Sequence, residues 1–146
     1  MNTYRFAELH VGMDAEFNPQ ARGGGISPIS DNDLECFRKL TGDISPIHVD
    51  ETYAIERGYR GKVCYGMLTS ALYSTLVGVY LPGKYALFQE AHIFMTKPVY
   101  IGDCLTVKGK IIEINEPLKR VTIKARILRD NGETVSRATL EVGVAE

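Results

Sequence analysis

Met67-Leu68-Thr69-Ser70-Ala71-Leu72-Tyr73-Ser74-Thr75-Leu76-Val77-Gly78-Val79-Tyr80-Leu81 is the most apolar stretch of this 146-residue chain. On a helical wheel its apolar side chains lie nearly all round, diluted only by Ser, Thr and Gly. A helix apolar on every side is a buried one. About 15 residues is too short to cross a bilayer, which takes roughly 20, so the segment is expected as a core helix. Pro82-Gly83 ends it.

After this segment the period of the pattern changes to two. Val121, Ile123, Ala125 and Ile127 alternate with Arg120, Thr122, Lys124 and Arg126, and Ala138, Leu140, Val142 and Val144 with Arg137, Thr139, Glu141 and Gly143. Leu105 and Val107 begin a third such run, interrupted by Gly109. Alternation of this kind gives each strand one dry and one wet face. Asn131-Gly132 joins two of the runs with residues that tolerate positive φ, a strong hairpin signal. Gly102-Asp103 and Asn115–Leu118 mark further turns. The expected fold class is therefore α+β: an antiparallel sheet curved around one long helix, in a single domain over residues 1–146.

Upstream the pattern is helical. Ser30 is placed to cap a helix whose first turn carries Asp31 and Asp33, where the helix dipole favours anions. Leu34 with Phe37, and Cys36 with Leu40, are expected to form one apolar side, and Gly42 a stop. Pro46 disfavours helix at Ser45, so residues 42–47 are read as an irregular loop. Asp50 then offers a cap for a short helix near Glu51–Arg57, closed by Gly58. Gly23-Gly24-Gly25 reads as a loop or bulge, because no phosphate-loop lysine follows it.

Composition excludes several classes. The chain is 45% hydrophobic and 24% charged, ordinary for a globular protein, with a net charge of −1 that gives no general attraction for nucleic acid or an anionic membrane. Cys36, Cys64 and Cys104 are odd in number and lack CxxC spacing, which fits reduced, mostly buried thiols better than disulfides or zinc. Met1–Leu9 does not resemble a signal peptide and no apolar run is long enough to span a membrane, so a cytoplasmic location is expected.

The chemistry is concentrated in Thr41-Gly42-Asp43-Ile44-Ser45-Pro46-Ile47-His48-Val49-Asp50. Asp43 and His48 are five apart, which sets them roughly 140° apart on a helix and on opposite faces of a strand. A proline-bent loop, by contrast, can aim both at one point. A carboxylate and an imidazole converging on a water form a competent acid–base pair, and burial of Asp43 would raise its pKa from about 3.9. Taken alone, the same residues also suit an Asx turn and a structural histidine. A metal set of Asp43, His48 and Asp50 lacks an evident further His or Cys ligand. His10 and His92 have no motif around them.

The order of these segments resembles the MaoC-like family of (R)-specific enoyl-CoA hydratases. That family carries S/T-G-D-x-N-P-x-H-x-D, then H-G-M-L, then F-x-x-x-P-V-x-x-G-D. Here Thr41–Asp50 is followed by Tyr65-Gly66-Met67-Leu68, and then by Phe94, Pro98-Val99 and Gly102-Asp103. The resemblance covers roughly residues 30–145. It implies a hot-dog fold, pairing into homodimers or higher oligomers, and a thioester pocket at the subunit interface. It further implies catalysis by Asp43 and His48 of the reversible hydration of a trans-2-enoyl-CoA to the (R)-3-hydroxyacyl-CoA. The chemistry would need no metal and no cofactor, coenzyme A being part of the substrate. Backbone N–H groups of Gly66 and Met67 would hold the enolate oxygen, and Ser74 matches a family serine facing the pocket. Two departures stand beside the site: Tyr65 replaces the usual His, and Ser45 the usual Asn. The Tyr65 phenol is a candidate to bind a substrate oxygen, with an interface residue as the plainer reading. Arg57, Arg60 and Lys62 are candidates to meet coenzyme A phosphates, or a solvated charged loop. Other hot-dog proteins hydrolyse thioesters, and a non-catalytic acyl-CoA-binding module is a further alternative.

Overall fold

The computed structural model describes residues 1–19 and 28–146; the Gly23–Gly25 reading lies outside them. Five strands, β1 (Asp14–Phe17), β2 (Ala86–Met95), β3 (Leu105–Asn115), β4 (Arg120–Arg129) and β5 (Thr134–Val144), form one antiparallel sheet in the order β1-β3-β4-β5-β2. The alternation seen in the sequence sets which face is dry: Val121, Ile123, Ala125, Ile127, Ala138, Leu140, Val142 and Val144 are all buried. The β4–β5 hairpin turns at Asn131-Gly132, with Gly132 at φ 83° and its N–H donating to the Arg129 carbonyl.

The apolar stretch lies against this dry face as a nearly continuous helix. It comprises α4 (Gly66–Ser70), α5 (Leu72–Thr75) and a wider π-helical end, Leu76–Tyr80. Tyr73, Leu76 and Val77 are at most 1% exposed. Gly109, in the middle of β3, explains how the helix comes so close. A Cβ built there would lie 2.6 Å from the Leu76 Cδ2 atom and 3.2 Å from the Ile123 Cγ2 atom. The glycine that interrupts the third alternating run is thus the seat of the helix.

The surroundings expected for this helix are met only in part. The helix is not buried all round: Met67, Ala71 and Ser74 are exposed along one stripe at helical spacing, Met67 to 61%. The sheet covers one side of the helix only, and this stripe faces away from it.

Between β1 and α4 the described residues form three short α-helices, α1 (Asp31–Thr41), α2 (Pro46–Val49) and α3 (Glu51–Glu56). Ser30 caps α1 reciprocally with Asp33, and Gly42 ends it at φ 74°. Leu34 and Phe37 turn towards the core, whereas Cys36 and Leu40 are exposed, Leu40 to 84%, so the single apolar side does not include them. The irregular loop is also shorter than expected. Pro46 occupies the first position of α2, where its missing N–H costs nothing and its fixed φ suits a helix start. Asp50 caps α3 by accepting from the Tyr53 N–H. Among the described residues no helix is long and apolar enough to cross a membrane.

Gly109→Ala should lower the unfolding free energy by about 1–3 kcal/mol through overpacking against Leu76, despite alanine's better strand propensity. A urea titration checks this: a reduced midpoint at constant slope is expected, and an unchanged midpoint would show that the helix is not seated on Gly109.

Candidate active site

The loop between α1 and α2 and the start of α4 meet at Tyr65. Asp43 sits just past the α1 stop, where its carboxylate accepts from the Ser45 N–H at 2.9 Å and its own N–H donates to the Thr41 hydroxyl. His48 lies on the single turn of α2. Its Nδ1 is 2.7 Å from the Val63 carbonyl oxygen. A carbonyl only accepts, so Nδ1 carries a proton, and in the neutral ring Nε2 keeps its lone pair. Val63 is itself clamped: its N–H donates to the Ile47 carbonyl, and the Cys64 N–H donates to the Val99 carbonyl.

Tyr65 is buried and touches both loop residues. Its Oη donates to the Asp43 main-chain carbonyl at 2.8 Å, and its ring lies 4.2 Å from the His48 ring, centroid to centroid. Phe37 packs on it from α1 at 4.8 Å. Burial, and then the Asp43 charge, push the Tyr65 phenol above its ordinary pKa, so it stays protonated and a donor. The hydrogen that could have met a substrate oxygen is therefore given to the loop.

His48 borders two clefts. One, of about 560 Å³, lies between α1 and α2, lined by Asp31, Leu34, Arg38, Ile44, Val49, Lys62 and Tyr65. The other, of about 360 Å³, runs from His48 and Gly66 along α4 past Thr69 and Ser70, with Met95, Val99, Val135 and Ser136 opposite. Its size is within the usual range for small-molecule pockets. Beside Ser136, Tyr73 is fully buried and donates its Oη to the Ser136 hydroxyl at 2.9 Å. The first-turn N–H groups of Gly66 and Met67 have no partner within their own helix. Gly66 has no Cβ to spare: one built there would meet the Met95 sulfur at 2.1 Å.

His48, Tyr65 and Gly66 thus come together, with Asp43 held through Tyr65. Ser74 and the Met67 side chain do not join them; both lie on the exposed stripe, outside these two clefts, while the Met67 N–H stays in the first turn of α4 directly after Gly66. Asp43 is also exposed, so the burial expected for its carboxylate is not provided by this chain alone. Sequence reading missed Met95, Ser136 and Thr69. Thr69 and Ser136 are buried, and Met95, 53% exposed, borders the cleft from the end of β2; which strand faces α4 depends on sheet register.

The other candidates are accounted for. Arg60 pairs with Asp103 at 2.7 Å and lies over the Tyr100 ring, Lys62 pairs with Asp31, and Arg57 lies over Tyr53. His92, on the outward side of β2, pairs with Glu90, and His10 is exposed. Among the described residues no group of three or more His, Cys, Asp or Glu could hold a metal. Of the cysteines only Cys64 is fully buried; Cys36 is exposed.

Comparison with known proteins bears on the whole arrangement. The family described as MaoC like domain matches residues 18–131. The chain belongs to the MaoC-like family. It is 32% identical over 118 residues to a 3-hydroxybutyryl-CoA dehydratase of Methylorubrum extorquens, covering 81% of this chain and 70% of that one. An (R)-specific enoyl-CoA hydratase of Aeromonas caviae is 28% identical over 100 residues, 68% of this chain and 75% of the relative. The unliganded R-hydratase PhaJ1 of Pseudomonas aeruginosa superposes with a TM-score of 0.84 at 31% identity, over 97% of this chain and 86% of that one. The MaoC-like domain described above is accordingly a hot-dog fold.

Burial pushes the Cys64 thiol up to about 12, so it is not a nucleophile at neutral pH. In native protein at pH 8, iodoacetamide should label Cys36 and leave Cys64 unmodified until denaturant is added, as read by peptide mass spectrometry. Native labelling of Cys64 would contradict the closed packing beside His48.

Proposed function

We propose that this MaoC-like protein hydrates trans-2-enoyl-CoA reversibly to (R)-3-hydroxyacyl-CoA. The observation that supports this most is the meeting, around Tyr65, of a loop aspartate, a histidine with a set tautomer and the N-terminus of the buried helix, beside a cleft of acyl dimensions. Such a site can supply what the reaction needs. The β-carbon of the enoyl group takes a hydroxyl from water while a proton is delivered to C2, and charge appears transiently on the thioester oxygen.

The His48 Nε2 lone pair and the Asp43 carboxylate are the groups to orient and deprotonate the water and to return a proton to C2. The N–H groups of Gly66 and Met67 are the donors for the enolate oxygen, favoured by their position in the first helical turn. Gly66 leaves room for the thioester to approach the backbone, once the flexible Met95 side chain moves aside. The names of the relatives, a dehydratase and hydratases of CoA thioesters, favour the same reaction.

A homodimer belongs to this reading. Among the described residues strand β2 is hydrogen-bonded on one side only, and Leu87, Phe94 and Met95 on it are more than half exposed, as is Met67 on the helix stripe. An unpaired apolar strand edge invites a second strand. A second copy there would cover Ser74 and Met67 and bury Asp43, completing the pocket as a cytoplasmic enzyme of thioester metabolism.

Loss of enoyl absorbance with crotonyl-CoA tests the reaction, with the hydroxyacyl product identified by chiral chromatography. Asp43→Asn and His48→Ala should each reduce kcat by about 10²-fold or more. Wild-type rates in either variant, or release of free thiol without hydroxyacyl product, would refute the assignment.

A further inference from the structure

Tyr65 stands where the family motif has histidine, and its surroundings give it a task that the reaction scheme leaves unassigned. We infer that Tyr65 is a positioning residue, fixing the separation between the Asp43 loop, the His48 ring and the start of α4; the catalytic side of this inference rests on the proposed hydration.

Three contacts carry it. The phenol donates to the Asp43 carbonyl at 2.8 Å, across a sequence separation of 22 residues. Its ring face meets the His48 imidazole at 4.2 Å, tilted by 35°, on a side chain already held at Nδ1 by Val63. Its backbone occupies the cap position of α4, directly before Gly66. One residue therefore joins all three parts of the site, its backbone at the start of α4 and its side chain, with only two torsions, at the loop and the imidazole.

The loop needs such a strut. From Thr41 to Pro46 every residue is exposed, so apolar packing does not hold it. The Thr41 hydroxyl and the Gly42 N–H donate back to α1, and past them the bonds of Asp43 N–H to Thr41 and Ser45 N–H to Asp43 shape the turn without reaching the core. Tyr65 is the tie that reaches it from the core, packed behind by Phe37. The requirement is steric as well as polar. Phenylalanine can keep the ring contacts while losing the hydrogen bond, which separates the two contributions.

Tyr65→Phe should fold normally and lower kcat for crotonyl-CoA by about tenfold while KM stays within about twofold, the mark of a misplaced catalytic group rather than weakened substrate binding. In the same variant, amide hydrogen exchange at Ser45 and His48 should speed up by about tenfold, equivalent to one net hydrogen bond. A tyrosine with only a structural role would lower the unfolding midpoint and leave kcat per folded molecule unchanged. Wild-type kcat in Tyr65→Phe overturns the inference, whatever the exchange rates show. Unchanged loop exchange overturns it too, even with reduced kcat. If the wild-type protein hydrates no enoyl-CoA yet exchange at Ser45 and His48 still rises in the variant, the proposed reaction falls and the hold of Tyr65 on the loop stands.

Discussion

The contact of the Leu76 turn with Gly109 is the constraint from which the rest of the structure follows. A helix can lie this close to a sheet only where the strand beneath it lacks a side chain, and Gly109 provides that gap in β3. With Tyr73, Leu76 and Val77 buried there, the helix is held against the dry face of the sheet. Its N-terminus then emerges at the end of the sheet where the 97–103 segment and the α2 turn meet. Position of the candidate site is thus a consequence of core packing, before any catalytic side chain is considered.

Much of this was legible in the residues. Period-two alternation placed Val121, Ile123, Leu140 and Val142 on the dry face, and Asn131-Gly132 located the hairpin, because both signals are local and physical. The α1 stop at Gly42 and the caps at Ser30 and Asp50 were equally readable. What failed were statements about neighbours. On a wheel the long helix is apolar nearly all round, but a wheel carries no information on what stands opposite, and the sheet covers one side only. The same limit hid the exposure of Cys36 and Leu40, since an apolar residue on a short helix reveals nothing of what stands opposite. Ser45 does lie outside the helical region, at ψ 127°, as Pro46 requires of the residue before it; only the end of the loop differs, because Pro46 itself opens α2.

The site shows the same division. Asp43 and His48 stand out in the sequence because no regular element could aim them together; in this chain His48 borders both clefts, whereas the exposed Asp43 lines neither. Their link could not be read, since Tyr65 meets Asp43 through its main chain, which has no sequence signature. Met95 and Ser136 enter the cleft only through the pairing of β2 with β5, where they stand opposite one another. Charge plays a supporting part. Arg60 and Arg129 both pair with Asp103, and Arg129 also with Glu133, fastening the 97–103 segment to the β4–β5 hairpin and so the far wall of the cleft. Arg129 is largely buried, which makes that anchor costly to break.

The most direct measurement is a crystal structure of Asp43→Asn with crotonyl-CoA bound. The account predicts the thioester oxygen about 2.7–3.1 Å from the Gly66 or Met67 nitrogen, with C3 turned towards the His48 Nε2 atom. An acyl group lodged elsewhere, with the His48 Nε2 atom facing bulk solvent, would contradict it.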